Sequence, residues 1–174
     1  MQKFDHLKSH IRDVPDFPKP GILFKDVTPL LANVSAFQEV IDYFARRFCE
    51  SKIDKVVGIE SRGFIFAAAL AYRLDAGFVP IRKRGKLPWQ TVGVEYSLEY
   101  GTDAIEMHAD AIAASDRVLL VDDLLATGGT ASAACQLIAK VSASIRACLF
   151  VVELDFLEGR QRLPGQEIMS LLHY

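Results

Sequence analysis

The chain has 174 residues, a length typical of one domain whose core is large enough to fold without disulfides or a structural metal. Hydrophobic residues make up 51% and charged residues 24%, which excludes a disordered segment. The net charge of −2 argues against nucleic acid and anionic membranes as partners. Because the sequence shows neither a signal peptide nor an apolar stretch long enough for a transmembrane helix, we expect a cytoplasmic protein.

The three cysteines are scattered along the chain and form no CxxC pair. An odd, scattered set fits neither a disulfide framework nor a zinc site. We therefore expect Cys49, Cys135 and Cys148 to be buried free thiols in a reducing compartment.

The N-terminal region is polar and rich in proline. Residues 2–12 predict a short amphipathic helix that ends before Pro15. Residues 17–21 are extended or turned, because each proline keeps the preceding residue out of the α region. A longer helix is predicted over 35–49, with Ser35 as its cap, since apolar residues recur there at three- and four-residue steps.

Short apolar runs then alternate with helical segments. This alternation indicates βαβ units, and hence an α/β fold with a mostly parallel central sheet flanked by helices, in one domain over 1–174. Ligands of such sheets bind beyond the carboxyl ends of the strands. The predicted strands are 55–60, 77–81, 117–123 and 147–152, and the predicted helices are 63–74 and 130–141.

The most informative segment, 118–131, reads VLLVDDLLATGGTA. An apolar strand delivers two carboxylates, and a turn of small residues then opens a helix. Such a turn directs backbone N–H groups at an anion, and the helix N-terminus adds partial positive charge. The Lys-Ser/Thr pair of a P-loop is missing. We predict a phosphate-binding turn whose two acids accept hydrogen bonds from vicinal ribose hydroxyls. Its residues are Asp122, Asp123, Ala126, Thr127, Gly128, Gly129 and Thr130.

Three other segments place candidate residues at the same edge of the sheet. Ser61 and Arg62 follow a predicted strand, where backbone N–H groups and a guanidinium can hold a diphosphate. A basic run over 82–86 follows the next strand and suits a substrate with several phosphate charges. Residues 89–110 fit neither a helix nor a buried strand well, which is typical of a lid or loop.

Segment 118–131 resembles the phosphoribosyl-pyrophosphate motif of the type I phosphoribosyltransferases. Four more segments, in the same order, are similar to the adenine-specific members of that family: 17–29, 58–64, 82–88 and 96–101. The resemblance covers nearly the whole chain. It implies the type I phosphoribosyltransferase fold, with a small N-terminal hood over about 1–34 and a flexible active-site loop over about 84–110. Trp89 departs from it, since the family commonly has a smaller residue there.

The resemblance implies transfer of the phosphoribosyl group to adenine, which yields AMP and diphosphate. It implies Mg²⁺ bound mainly through the substrate, without dedicated protein ligands, and a homodimer with the 82–86 run near the subunit boundary. It also implies a cis peptide bond between Glu60 and Ser61. Glu99 is implied as the catalytic residue, either as a general acid or base or by positioning, and Tyr100 as its neighbour over the ribose.

The remaining implied residues bind substrate. A first group is expected to hold the diphosphate, and each member is a cation or precedes one. The sequence does not decide which of Lys83, Arg84 and Lys86 face the site. A second group is expected to hold adenine, either through main-chain hydrogen bonds or by packing on the faces of the ring. The first group is Ser61, Arg62, Arg82, Lys83 and Lys86; the second is Leu23 and Lys25 by main chain, with Phe24 and Leu124 on the ring faces.

Two alternatives stay open. One is a sister enzyme that uses xanthine, hypoxanthine or orotate. The other is a ligand-sensing transcriptional regulator on the same fold, which usually carries an additional DNA-binding domain. The segments that resemble the hood and the active-site loop favour adenine over the first, and the charge of −2 disfavours the second.

Overall fold

The computed structural model describes residues 4–98 and 101–174. Its N-terminal part holds a 3₁₀ helix (Asp5–His10), a two-stranded antiparallel sheet of β1 (Arg12–Pro15) and β2 (Leu23–Asp26), and a short helix α1 (Thr28–Ala32). The helix predicted over 2–12 is therefore wrong beyond residue 10. The apolar side chains that suggested it are buried, but the chain leaves the helix to pair Arg12–Pro15 with β2.

A seven-stranded sheet forms the centre of the molecule. Its strand order is β5-β6-β4-β3-β7-β8-β9, in which β4, β3, β7, β8 and β9 run parallel while β6 pairs antiparallel with both β4 and β5. The mostly parallel sheet predicted from the sequence is confirmed. The strands are β3 (Lys55–Ile59), β4 (Gly77–Lys83), β5 (Thr91–Leu98), β6 (Gly101–His108), β7 (Arg117–Leu125), β8 (Ser144–Glu153) and β9 (Ile168–His173).

Helices cover both faces of this sheet. Helices α2 (Val34–Phe48) and α3 (Gly63–Leu74) pack on one face, and α4 (Gly129–Lys140) packs on the other. Strand β7 is apolar throughout because Leu119 and Val121 enter the first layer while Val118 and Leu120 enter the second. The cap of α2 is Asn33 and not Ser35, since the Asn33 Oδ1 accepts a hydrogen bond of 2.9 Å from the Ala36 N–H.

The segment predicted to be irregular, 89–110, contains an antiparallel hairpin of β5 and β6. Charged residues interrupt its apolar alternation, which concealed the strands. One of them, Glu106, is buried and accepts hydrogen bonds from the N–H groups of Gly85 and Leu87 and from the Thr91 hydroxyl. Its carboxylate therefore ties the turn after β4 to the hairpin.

The three cysteines differ in their exposure. Cys148 is buried and Cys135 is partly buried, but Cys49 is exposed, so the expectation that all three thiols are buried is wrong for Cys49. Cys49 directly follows α2, and its side chain lies outside the stripe of buried residues that ends at Phe48.

Across the ranges 4–98 and 101–174, no helix combines the length and apolar character that crossing a membrane requires.

Candidate active site at the carboxyl edge of the sheet

The turn between β7 and α4 is built as a cradle for an anion. Gly128 has φ of +80°, and a Cβ there would collide with the carbonyl oxygen of Gly159. A Cβ at Gly129 would make only ordinary van der Waals contacts with side chains, the nearest of them with the Arg162 Nη1 at 3.7 Å. Gly128 is thus required by the backbone itself, whereas Gly129 leaves room for a ligand at the N-terminus of α4.

The two predicted acids lie directly before this turn. Asp123 is only 4% exposed, and its Oδ2 lies 2.7 Å from the Nε of Arg62. Within the described chain this oxygen accepts no hydrogen bond of good geometry, so the contact is an ion pair alone. Asp122 accepts a hydrogen bond of 2.9 Å from the Asp123 N–H and packs against Gly63 at the start of α3. The structure therefore brings the strand end of β7 and the segment after β3 into one site.

Burial makes this pair of acids hard to ionise. It raises the pKa of Asp123, against the opposing effect of the Arg62 charge. Burial and the neighbouring Asp123 charge raise the pKa of Asp122 well above its usual value. Closely spaced carboxyls whose pKa values are raised together are typical of functional sites, because packing alone does not require them.

The residues predicted to hold a diphosphate lie at the ends of β3 and β4. The Glu60–Ser61 peptide bond is cis, which confirms that expectation. The Glu60 carboxylate accepts hydrogen bonds from the Arg82 guanidinium at 3.0 and 3.2 Å and from the Lys83 N–H at 3.0 Å. These hydrogen bonds lower the pKa of Glu60, and those from Arg82 have the largest effect. The Arg82 guanidinium also donates to the Lys86 carbonyl, so Arg82 and Lys86 are held together beside Glu60.

A cavity of about 190 Å³ lies between Glu60 and Lys83 and reaches Thr130 of the phosphate turn. Lys83 reaches into it and forms an ion pair of 3.2 Å with Asp103 of β6. On its far side the hydroxyls of Tyr96 and Thr130 lie 3.4 Å apart, which joins the hairpin to the first turn of α4. The lining residues are Ile59, Glu60, Ile81, Lys83, Tyr96, Asp103, Ile105 and Thr130.

The N-terminal sheet contributes Phe24, whose ring centroid lies 4.7 Å from the guanidinium carbon of Arg62. The Lys25 side chain is buried elsewhere, where its ammonium pairs with Asp13 at 2.6 Å and lies over the Tyr174 ring. Leu124 is partly buried at the end of β7. The structure thus places Phe24 beside the arginine of the site, while the side chain of Lys25 serves packing.

Two polar residues near the site were not predicted from the sequence. Arg162 ends the 3₁₀ helix Gly159–Arg162 between β8 and β9, and its guanidinium reaches the open space beside Gly129. No motif links this residue to the phosphate turn, so only the fold reveals it. Glu106 is the second: it lies in the segment predicted to be irregular, and its carboxylate holds the turn after β4. Glu99, the predicted catalytic residue, and Tyr100, which was predicted to bind substrate, lie outside the described residues.

Comparison with known proteins identifies the family of this chain. The phosphoribosyl transferase domain family matches residues 26–163. An adenine phosphoribosyltransferase of Roseiflexus sp. is 56% identical over 97% of this chain and 98% of its own.

Two solved structures add to this comparison. That of adenine phosphoribosyltransferase from Thermoanaerobacter pseudethanolicus has a TM-score of 0.94 and 48% identity, covering 99% of this chain and 100% of its own. The Saccharomyces cerevisiae adenine phosphoribosyltransferase, complexed with adenine and D-2,5-dideoxy-2,5-imino-altritol 1,6-bisphosphate, has a TM-score of 0.91 and 44% identity, covering 96% and 97%. The chain therefore belongs to the phosphoribosyltransferase family and, within it, to the adenine phosphoribosyltransferases.

Proposed function

We propose that this enzyme converts adenine and phosphoribosyl pyrophosphate to AMP and diphosphate, a reaction of purine salvage. One observation carries the proposal: the acids Asp122 and Asp123 lead directly into an open phosphate cradle at Gly129, beside the arginine that contacts Phe24. A ligand that spans these features presents a phosphate, a ribose and a planar base in sequence. Phosphoribosyl pyrophosphate with adenine, and equally AMP, has those parts.

The 5′-phosphate is assigned to the turn after β7. The backbone N–H groups of 127–130 and the hydroxyls of Thr127 and Thr130 supply donors at the N-terminus of α4. Arg162 adds a guanidinium on the open side of Gly129. The ribose hydroxyls are assigned to Asp122 and Asp123, and the Asp123 Oδ2 accepts no hydrogen bond from the described part of the protein.

The diphosphate is assigned to Ser61, Arg62, Arg82, Lys83 and Lys86. Three of these cations are paired with carboxylates: Arg62 with Asp123, Arg82 with Glu60, and Lys83 with Asp103. The carboxylates hold the cationic groups at the sheet edge before substrate arrives. A diphosphate that enters the cavity offers more negative charge than any one of these acids, so it competes for the same donors.

Adenine is assigned to the N-terminal sheet. Strand β2 pairs with β1 along only one edge, and residues two apart on a strand direct their N–H and C=O groups to the same edge. Leu23 and Lys25 therefore share an edge, as reading the amine and a ring nitrogen of adenine requires. The ion pair between the buried Lys25 side chain and the exposed Asp13 carboxylate fixes this strand, and Phe24 and Leu124 are assigned to the faces of the adenine ring.

The chemical step is displacement at the ribose C1. Positive charge grows on the sugar while negative charge grows on the departing diphosphate, and the cations at the ends of β3 and β4 stabilise the latter. Glu99 is assigned either the transfer of a purine-ring proton or the positioning of the reacting groups, with Tyr100 over the ribose. Steady-state kinetics of Glu99→Gln beside a direct binding titration separates these two roles.

Mg²⁺ is assigned as the metal of the reaction. It prefers oxygen ligands and keeps several waters, so a site with two acids beside a diphosphate pocket suits it without a dedicated protein cage. The residues fit binding through the substrate: Asp122 and Asp123 would hold the ribose hydroxyls, and Arg62, which pairs with Asp123, would hold the diphosphate whose oxygens the metal prefers. When bound through the substrate, the metal neutralises charge on the leaving diphosphate.

We assign a homodimer and a cytoplasmic location to the protein. Ile65 and Phe78 are 45% and 39% exposed, and the Phe64 and Phe78 rings stack edge to face at 5.8 Å, which provides an apolar surface close to the 82–86 run. Light scattering on the eluting protein tests the dimer: a mass of one chain contradicts it. Fluorescence microscopy of a tagged chain tests the location.

The decisive test of function incubates the protein with phosphoribosyl pyrophosphate, Mg²⁺ and one base at a time, and follows diphosphate release. Adenine, hypoxanthine, xanthine and orotate form the four arms. We expect release with adenine alone, and chromatography should identify AMP as the product. Release with another base and not with adenine would assign the chain to a sister enzyme. Absence of release in every arm, with tight ligand binding retained, would favour a ligand sensor.

A further inference from the structure

Two cysteines lie against each other on the second face of the sheet, away from the substrate-binding residues. Their Sγ atoms are 3.7 Å apart, one on Cys135 of α4 and the other on Cys148 of β8. Cys148 is fully buried, whereas Cys135 is partly exposed. The remaining cysteine, Cys49, is exposed at the end of α2 and makes its hydrogen bond to the Arg46 carbonyl.

We propose that Cys135 and Cys148 form an oxidisable dithiol, which peroxide converts to an intramolecular disulfide that weakens phosphate binding. The partly exposed Cys135 meets the oxidant, and the buried Cys148 resolves the product. A hydrogen bond from the Cys148 thiol lowers the pKa of Cys135, which favours its reactive thiolate. The same contact and burial raise the pKa of Cys148.

The reaction needs one molecule of hydrogen peroxide. The Cys135 sulfur attacks a peroxide oxygen, the O–O bond breaks, and hydroxide leaves and becomes water. The Cys148 sulfur then attacks the resulting sulfenic sulfur, the S–O bond breaks, and the thiol proton departs with hydroxide as a second water. The two thiols together lose two electrons, and peroxide gains them.

The disulfide would disturb the active site through α4. A disulfide holds its sulfurs about 2.0 Å apart, so the two atoms must approach by about 1.7 Å. Strand β8 resists movement, because Cys148 lies between β7 and β9 and its N–H donates to the Glu167 carbonyl at 2.8 Å. Helix α4 therefore takes up the displacement.

The end of α4 that moves carries the phosphate cradle. Cys135 is six residues beyond Gly129, about 9 Å along the helix axis, so a shift at Cys135 reaches the cradle through a short rigid segment. Thr130 in the same turn contacts Tyr96 of the hairpin. Misplacement of the reacting groups by about 1 Å can lower the rate about a hundredfold. We therefore expect catalytic efficiency to fall by about 10- to 100-fold.

The test uses Cys49→Ser as its background, so that only the paired thiols remain. After treatment with hydrogen peroxide, we expect the mass of the chain to fall by about 2 Da and peptide mapping to link the Cys135 and Cys148 peptides. Activity and AMP affinity should fall together, and dithiothreitol should restore both. Oxidation that adds oxygen to Cys135 without a linked peptide would overturn the proposal, and so would a linked peptide with unchanged activity.

Two further variants separate the disulfide from general oxidative damage. Cys135→Ser and Cys148→Ala, each in the Cys49→Ser background, should keep their activity after the same peroxide treatment. Cys148→Ala avoids placing a hydroxyl in the core, so it keeps the test valid if a serine there prevents folding. If both variants lose activity as fast as the background protein, the loss comes from another residue and the proposal is wrong.

Discussion

The Nε of Arg62 lies 2.7 Å from the Oδ2 of Asp123, so the segment after β3 and the segment at the end of β7 form one ion pair. The two residues belong to motifs with separate predicted roles, one for diphosphate and one for ribose. If both predicted roles hold, bound substrate competes with this contact at each end. The ion pair thus holds the two segments next to each other in the protein without substrate.

Asp123→Asn should weaken use of phosphoribosyl pyrophosphate without unfolding the protein. The amide keeps the shape of the side chain but loses the charge that pairs with Arg62 and accepts from a ribose hydroxyl. Hydrogen bonds to charged groups are worth about 1.5–3 kcal/mol, so kcat/KM should fall by about ten- to a hundredfold. Asp122→Asn should act in the same direction. Steady-state kinetics beside circular dichroism measures this, and unchanged kcat/KM in both folded variants would remove the ribose-binding role.

Asp122→Asn should also stabilise the protein at neutral pH. Burial and the Asp123 charge raise the pKa of Asp122 above its usual 3.8. The stability that the protonated Asp122 carboxyl contributes is present in full below pH 3.8. It is lost as the pH rises through the pKa that this group has in the folded protein. The amide escapes this loss and still accepts the bond from the Asp123 N–H.

Calorimetry without ligand measures this effect of Asp122→Asn. The gain in Tm over the unmodified protein should be about 3 °C or more at pH 7 and smaller at pH 4. An equal difference at both pH values would mean that ionisation of Asp122 does not oppose folding.

Gly129→Val should abolish AMP binding and leave the protein folded. A Cβ added at Gly129 meets the Arg162 Nη1 at 3.7 Å, an ordinary contact, so we expect a branched side chain to leave the fold intact while it occupies the phosphate position. Titration calorimetry with AMP measures the loss, and wild-type affinity would contradict the assignment. Gly128→Ala is the comparison: its positive φ and the Gly159 carbonyl make it lower Tm instead.

Arg162→Ala should raise the KM for phosphoribosyl pyrophosphate and the Kd for AMP, with a smaller change in kcat. The Arg162 guanidinium lies beside Gly129, where it would contact the phosphate assigned to the cradle, and both substrate and product carry that phosphate. We expect a change of about tenfold in both constants. Arg146→Ala is the control, because Arg146 is exposed near the N-terminal end of β8, whereas Arg162 follows the C-terminal end of that strand. Equal effects of the two substitutions would show that only net charge matters.

Glu99→Gln should lower kcat and leave the binding of phosphoribosyl pyrophosphate nearly intact. A general acid or base contributes about 10²–10⁴-fold in rate, so a drop of that size would assign proton transfer. A drop of about tenfold would assign positioning. Steady-state kinetics beside a direct binding titration decides between them, and unaltered turnover would mean that Glu99 is not the catalytic residue.

Glu106→Gln serves as the structural comparison for Glu99→Gln. Its carboxylate accepts from two N–H groups of the turn at 85–87 and from the Thr91 hydroxyl. An amide can satisfy fewer of these donors, so this variant should lower Tm, whereas Glu99→Gln should not. A normal Tm in Glu106→Gln would contradict the bracing role of Glu106.

The sequence by itself determined the parallel sheet, its flanking helices and the phosphate turn. Strand β7 and helix α4 are recognisable because an apolar run buried on both faces, followed by small residues and a helix, has a local signature. The same holds for α3, whose predicted bounds of 63–74 match the structure. Family resemblance supplied the residue roles and the cis bond before Ser61, which is present.

Only the tertiary structure decided which residues meet. The pairing of Arg62 with Asp123, the place of Arg162 beside Gly129 and the contact between Cys135 and Cys148 all join segments far apart in the chain. The hairpin of β5 and β6 escaped notice because Glu106, a charged residue, is buried there by partners that the linear pattern does not show. Local patterns report burial and turn chemistry, whereas such contacts depend on strand order and register, which no short window of sequence contains.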